Sequence, residues 1–63
     1  MNLETVRKEA QQNANELGVA YVVVKIAGVG YQFMTQESFD AMDEDSKAKH
    51  KVIEEITPQK TEA

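Results

Sequence analysis

Asp43-Glu44-Asp45 is the densest run of side chains in the chain that could do chemistry. Grouped carboxylates can share acid–base work or hold a divalent cation. Together with Glu54, Asp43 and Asp45 fall at positions 1, 3 and 12 of a calcium-binding loop. That loop needs an oxygen ligand at its fifth position and glycine at its sixth, where this chain has Lys47 and Ala48. Catalytic carboxylates need shaped surroundings that split their pKa values. Three acids followed by Ser46 and Lys47 describe a solvated loop instead. No metal and no cofactor is expected.

The one histidine, His50, lies in the stretch KAKHK. Nucleophilic catalysis needs a hydroxyl, thiol or amine held close to such a base. No serine motif points to His50, and Ser38 and Ser46 read as residues at helix starts. The expectation is a surface histidine where a loop meets a strand, and a chain that is not an enzyme.

Gly28-Val29-Gly30 raises the question of a nucleotide site. A dinucleotide fingerprint requires a third glycine three positions on and a helix after it. Here that position is Phe33, and the strand-like YQFM follows. The Gly-Lys-Ser/Thr of a phosphate-binding loop is absent. A hairpin corner fits better. With Gly28-Val29 as the centre of a type II′ turn, Ala27 faces Gly30, Ile26 faces Tyr31 and Val24 faces Phe33.

The elements around these residues follow from periodicity. Leu3, Val6, Ala10, Ala14 and Leu17 recur at spacings of three and four, predicting an amphipathic helix over 2–17. Asn2 suits its N-cap and Gly18 the position just past its end. Residues 19–26 read as a strand, rich in Val, Ile and Tyr. Ala20, Val22, Val24 and Ile26 would share one side, and Val19, Tyr21, Val23 and Lys25 the other. Both sides are apolar enough to be covered, which places this strand in the centre of a sheet. Thr35 caps a short helix over about 36–42, carrying Phe39 and Met42, and Asp43 can begin another turn.

Residues 51–56 fit two patterns. As a strand, Val52, Glu54 and Ile56 share a face; as a helix, Ala48, Val52 and Ile56 form a stripe. A lone hairpin is marginal in water, so a third strand is favoured. The predicted fold is a small α+β domain, α-β-β-α-β, with a three-stranded antiparallel sheet packed on the N-terminal helix. The domain would span 1–57 and a disordered tail 58–63. The helix is expected to cover Ala20, Val22, Val24, Ile26, Tyr31 and Phe33. Tyr21, Val23 and Met34 would lie opposite, partly under Phe39 and Met42.

Composition narrows the function. The chain has 63 residues, no cysteine and a net charge of −4. Disulfides and thiolate metal sites are excluded, and a chain this short gains much from oligomerisation. Residues 1–34 balance three basic side chains against three acidic, whereas residues 35–63 carry four lysines and eight acids. That disfavours direct nucleic-acid binding, which needs clustered Lys or Arg. No apolar segment has the length of a signal sequence or a membrane span, so the expectation is a soluble cytoplasmic protein. In size and polar texture it is similar to small accessory proteins of bacteria and their phages.

The function expected from these residues is protein–protein interaction without catalysis. The partner would be another protein or a second copy, bound through a sheet edge or through an exposed face of Tyr21, Val23 and Met34. The alternative is an acidic inhibitor that blocks a basic nucleic-acid-binding protein through Asp43, Glu44 and Asp45.

Overall fold

The computed structural model describes residues 2–59 of the chain. Their order is α1 (Leu3–Leu17), β1 (Tyr21–Ile26), β2 (Gly30–Thr35), α2 (Gln36–Asp40), α3 (Glu44–Lys49) and β3 (His50–Ile56). The strands form one antiparallel sheet in the order β2-β1-β3, so the most apolar strand is central. This is the small α+β domain that the sequence predicts. Residues 51–56 belong to a strand, in accord with the argument from hairpin instability.

Helix α1 forms where the apolar spacing places it. The Asn2 side chain accepts a hydrogen bond from the Thr5 N–H at 2.8 Å, satisfying one of the free donors of the first turn. Gly18 ends the helix with φ at 69°, and its N–H donates to the Ala14 carbonyl at 2.7 Å. Val6, Ala10 and Ala14 are fully buried. They pack in one cluster with Tyr21, Val23 and Ile56, flanked by half-buried Leu3, Tyr31 and Phe33. The two alanines let the helix backbone lie close to the sheet.

This cluster reverses the expected covering of the sheet. α1 lies on the Tyr21/Val23 face and not on the Val22/Val24 face. The reason is a one-residue difference in the hairpin. Ile26 faces Gly30, Val24 faces Gln32 and Val23 faces Phe33. The connection has three residues, Ala27-Gly28-Val29, instead of two. The Val29 N–H donates to the Ile26 carbonyl at 3.0 Å, and Gly28 has φ at 79°. Gly28 thus takes the third place of a turn over Ile26–Val29, where type II geometry demands positive φ. A slip of one residue exchanges every side chain of a strand between faces. Here it puts Tyr31 and Phe33 on the same side as Tyr21 and Val23. The Tyr21 and Phe33 rings meet at 5.7 Å between centroids, tilted by 57°.

The third strand contains a second irregularity. Tyr21, Val22 and Val23 face Ile56, Glu55 and Glu54, but Val24 faces Val52, leaving Ile53 as an extra residue in a bulge. The bulge breaks the simple alternation expected of this strand. Glu54 and Ile56 share the α1 side, while Val52 turns to the Val22/Val24 side. Glu54 consequently meets Arg7 of α1, Nε to Oε1 at 2.7 Å.

Val22 and Val24 are 1% and 0% exposed although they face away from α1. The connection between β2 and β3 must cross one face of the sheet, because those strands run parallel with β1 between them, and α1 already occupies the other face. It carries half-buried Phe39 and Met42, and Met34 stands opposite Val22. The result is three layers, with α1 on one face of the sheet and the α2–α3 segment on the other.

The chain stays attached beyond β3. The Gln11 amide donates to the Thr57 carbonyl at 2.9 Å, and the Gln59 N–H donates to Asn15 Oδ1 at 2.7 Å. The Thr57 carbonyl and the Gln59 N–H, where the expected tail 58–63 begins, are thus both bonded to α1. The rest of that predicted tail, 60–63, lies outside the described residues. No helix among the described residues is long and apolar enough to cross a membrane.

Candidate interaction edge

The residues singled out from the sequence do not form one surface. Tyr21 and Val23 are 7% and 0% exposed beneath α1. Met34 is half-buried on the opposite side of the sheet. Tyr21, Val23 and Met34 therefore share no face: the first two belong to the core beneath α1 and Met34 lies on the other side, a direct consequence of the three-residue turn. Lysine at Val23 would place a charge in that core, which is costly without a partner.

Asp43, Glu44 and Asp45 are exposed and organised around the start of α3. Asp43 caps the helix, its Oδ1 accepting from the Ser46 N–H at 2.8 Å. That bond, with help from the Ser46 hydroxyl, holds the Asp43 carboxyl below its ordinary pKa. Glu44 and Asp45 lie in the first turn, where negative charge is favoured by the helix dipole. His50 closes the other end, with Nδ1 2.6 Å from the Ser46 carbonyl oxygen. A hydrogen bond there requires the ring tautomer that carries its proton on Nδ1. Among the described residues, no three His, Asp or Glu side chains gather where they could hold a metal ion.

The sheet has two edges, and they differ. β3 reads HKVIEEI: it carries three fully charged side chains and the Ile53 bulge. Charges and bulges are the usual protections of an edge against a foreign strand. β2 reads GYQFMT, with no charge, no proline and no bulge against β1.

One bond at the end of β2 sets its hydrogen-bond parity. The Gln36 N–H donates to the Ala20 carbonyl at 2.9 Å, in line with the β1–β2 register. Bonded pairs alternate along an antiparallel ladder, so Gln32 and Met34 direct their backbone groups to β1. Tyr31, Phe33 and Thr35 direct theirs outward. By the same alternation, β1 uses Tyr21, Val23 and Lys25 toward β3, which leaves Glu55 facing outward there.

An open groove of about 290 Å³ runs beside the free edge, lined by Val6, Val29, Tyr31, Gln32 and Phe33. Its floor is the seam between α1 and β2, and Val29 in the turn is 64% exposed. Lys25 extends over the Tyr31 ring, 5.6 Å from its centroid. A second open hollow, about 470 Å³, lies at the other end of the sheet between Val19, Ala20, Gln36, Glu37 and Asp40. The edge was foreseeable from strand count, but the parity was not, because it depends on the turn. Comparison with family models, with curated proteins and with solved structures finds no match to this chain.

Proposed function

We propose that this protein is a non-enzymatic interaction module that captures a protein strand along β2. The observation that carries this reading is the contrast between the edges. β3 is charged and bulged, whereas β2 offers the outward backbone groups of Tyr31 and Phe33 without obstruction. An added strand would satisfy those groups, and its alternate side chains would enter the groove between α1 and β2. Backbone bonds would supply affinity and the groove would supply selection for apolar residues.

The acidic-inhibitor reading has less to support it. Asp43, Glu44 and Asp45 are accounted for by the start of α3, and Lys47 and Lys49 follow on the same short helix.

The test compares two proline variants at the edges. Tyr31→Pro removes an outward N–H from β2, and Glu55→Pro removes one from β3. Neither deletes a bond of the internal ladder. Circular dichroism first checks that both variants fold. Proteins captured by the immobilised chain should be lost with Tyr31→Pro and retained with Glu55→Pro. Equal capture by both variants would overturn the assignment to β2.

A further inference from the structure

We infer that the strand β2 accepts is β2 of a second copy, paired antiparallel about a two-fold axis at Gln32. This rests on the reading of β2 as a pairing edge and adds the identity and register of the occupant. Such pairing joins the two sheets into one of six strands.

The parity of the edge limits the registers. Outward backbone groups belong to odd-numbered residues, so an odd residue must bond an odd residue of the partner. A two-fold axis through Gln32 does this. Tyr31 then bonds the partner's Phe33, Phe33 bonds the partner's Tyr31, and Gln32 sits opposite the partner's Gln32 in a non-bonded pair. Each aromatic side chain meets another aromatic across the seam on the α1 side, a favourable cross-strand pairing. On the other side Met34 lies against the partner's Gly30, where no side chain opposes it. An axis at Phe33 also satisfies parity. It sets Tyr31 against Thr35, whose hydroxyl is already engaged with Ser38 at the start of α2.

Three further observations favour a second copy as the occupant. The strand has no charge that would meet its own sign across the axis. The groove beside the edge is lined on its floor by the same apolar residues that a partner copy would bring to it. A chain of 63 residues without a cysteine also lacks the disulfides by which many small domains offset a small core.

The chain has no cysteine of its own, which makes cross-linking unambiguous. The wild-type mass is measured by sedimentation equilibrium up to millimolar concentration, and Gln32→Cys and Glu55→Cys are oxidised in air. The expected result is a wild-type dimer and a disulfide-linked dimer from Gln32→Cys, because a non-bonded antiparallel pair brings Cα atoms within disulfide reach. Glu55→Cys should stay monomeric. As a second check, Gln32→Lys and Gln32→Glu should each weaken dimerisation about fourfold at low salt, and an equimolar mixture should restore it. A monomeric wild type, no link at position 32, or equal linking at position 55 would overturn the inference. If the wild type is monomeric yet Tyr31→Pro alone abolishes capture of another protein, β2 remains a pairing edge with a different occupant.

Discussion

Which face of the sheet α1 covers is the most consequential difference between the two readings of the hairpin, and a double-mutant cycle can decide it. Val6 of α1 and Val23 of β1 belong to one buried cluster, and both are 0% exposed. Val24, equally buried, points to the other side. Valine to alanine removes two methyl groups, worth about 1.6 kcal/mol in transfer at roughly 0.8 kcal/mol each. The cavity left behind raises the cost to about 2–3 kcal/mol. A 63-residue domain has roughly 3–9 kcal/mol to lose. Each substitution should therefore lower the midpoint of thermal unfolding by about 8–24 °C.

The decisive quantity is the departure from additivity. Val6→Ala with Val23→Ala enlarges one shared space and should be non-additive by about 0.5–1.5 kcal/mol. Val6→Ala with Val24→Ala alters two layers separated by the sheet and should be additive within about 0.5 kcal/mol. Urea titrations followed by far-ultraviolet circular dichroism give all the free energies. An excluded osmolyte, present throughout, keeps the double variants folded. Coupling of Val6 to Val24 together with additivity of Val6 and Val23 would refute the face assignment and the three-residue turn beneath it.

Three other outcomes follow from the local geometry. Gly28→Ala should cost about 1–2 kcal/mol, because φ at 79° is strained for a residue with a Cβ although the space around it is empty; Gly28→Asn should cost less in the same denaturant titration. Arg7→Ala should cost under about 1 kcal/mol, since the side chains of its ion pair are 51% and 34% exposed, and the loss should shrink as salt is added. The folded pKa of Asp43 lies below the ordinary value of 3.8, so its contribution is full above that pH and is lost as the pH falls through the folded value. Asp43→Asn should consequently flatten the acid limb of stability against pH, and an unchanged limb would remove Asp43 from that account.

The regular parts of this fold were legible because local chemistry and long-range packing agree there. Asn2, the Leu3–Leu17 stripe and Gly18 define α1 from either end, and Thr35 and Asp43 mark the starts of α2 and α3. The apolar composition of β1 announced its central place. The register was hidden because Gly28 suits either turn, as first central residue in the expected one and as second in the observed one. β1 is apolar on both sides and so cannot report which side is which. The bulge at Ile53 was hidden for a related reason: Val52, Ile53 and Ile56 fit strict alternation until Arg7 and Val24 are set opposite the strand. The burial of Tyr21 and Val23 follows from the register, whereas the presence of two sheet edges depends only on strand order.

The arrangement of β1 between two parallel neighbours also sets an order of assembly. The β1–β2 hairpin closes across three residues and can form within microseconds. β3 follows β2 by a connection of 14 residues and must find the remaining side of β1 across the sheet. During synthesis, the 21 residues after Thr35 take roughly 1–4 s to add. Until β3 docks, the outer sides of both β1 and β2 are unpaired, so the hairpin gains its stability only when the third strand arrives. The arrival of β3 thus covers the open side of β1 and leaves β2 as the edge without charge or bulge.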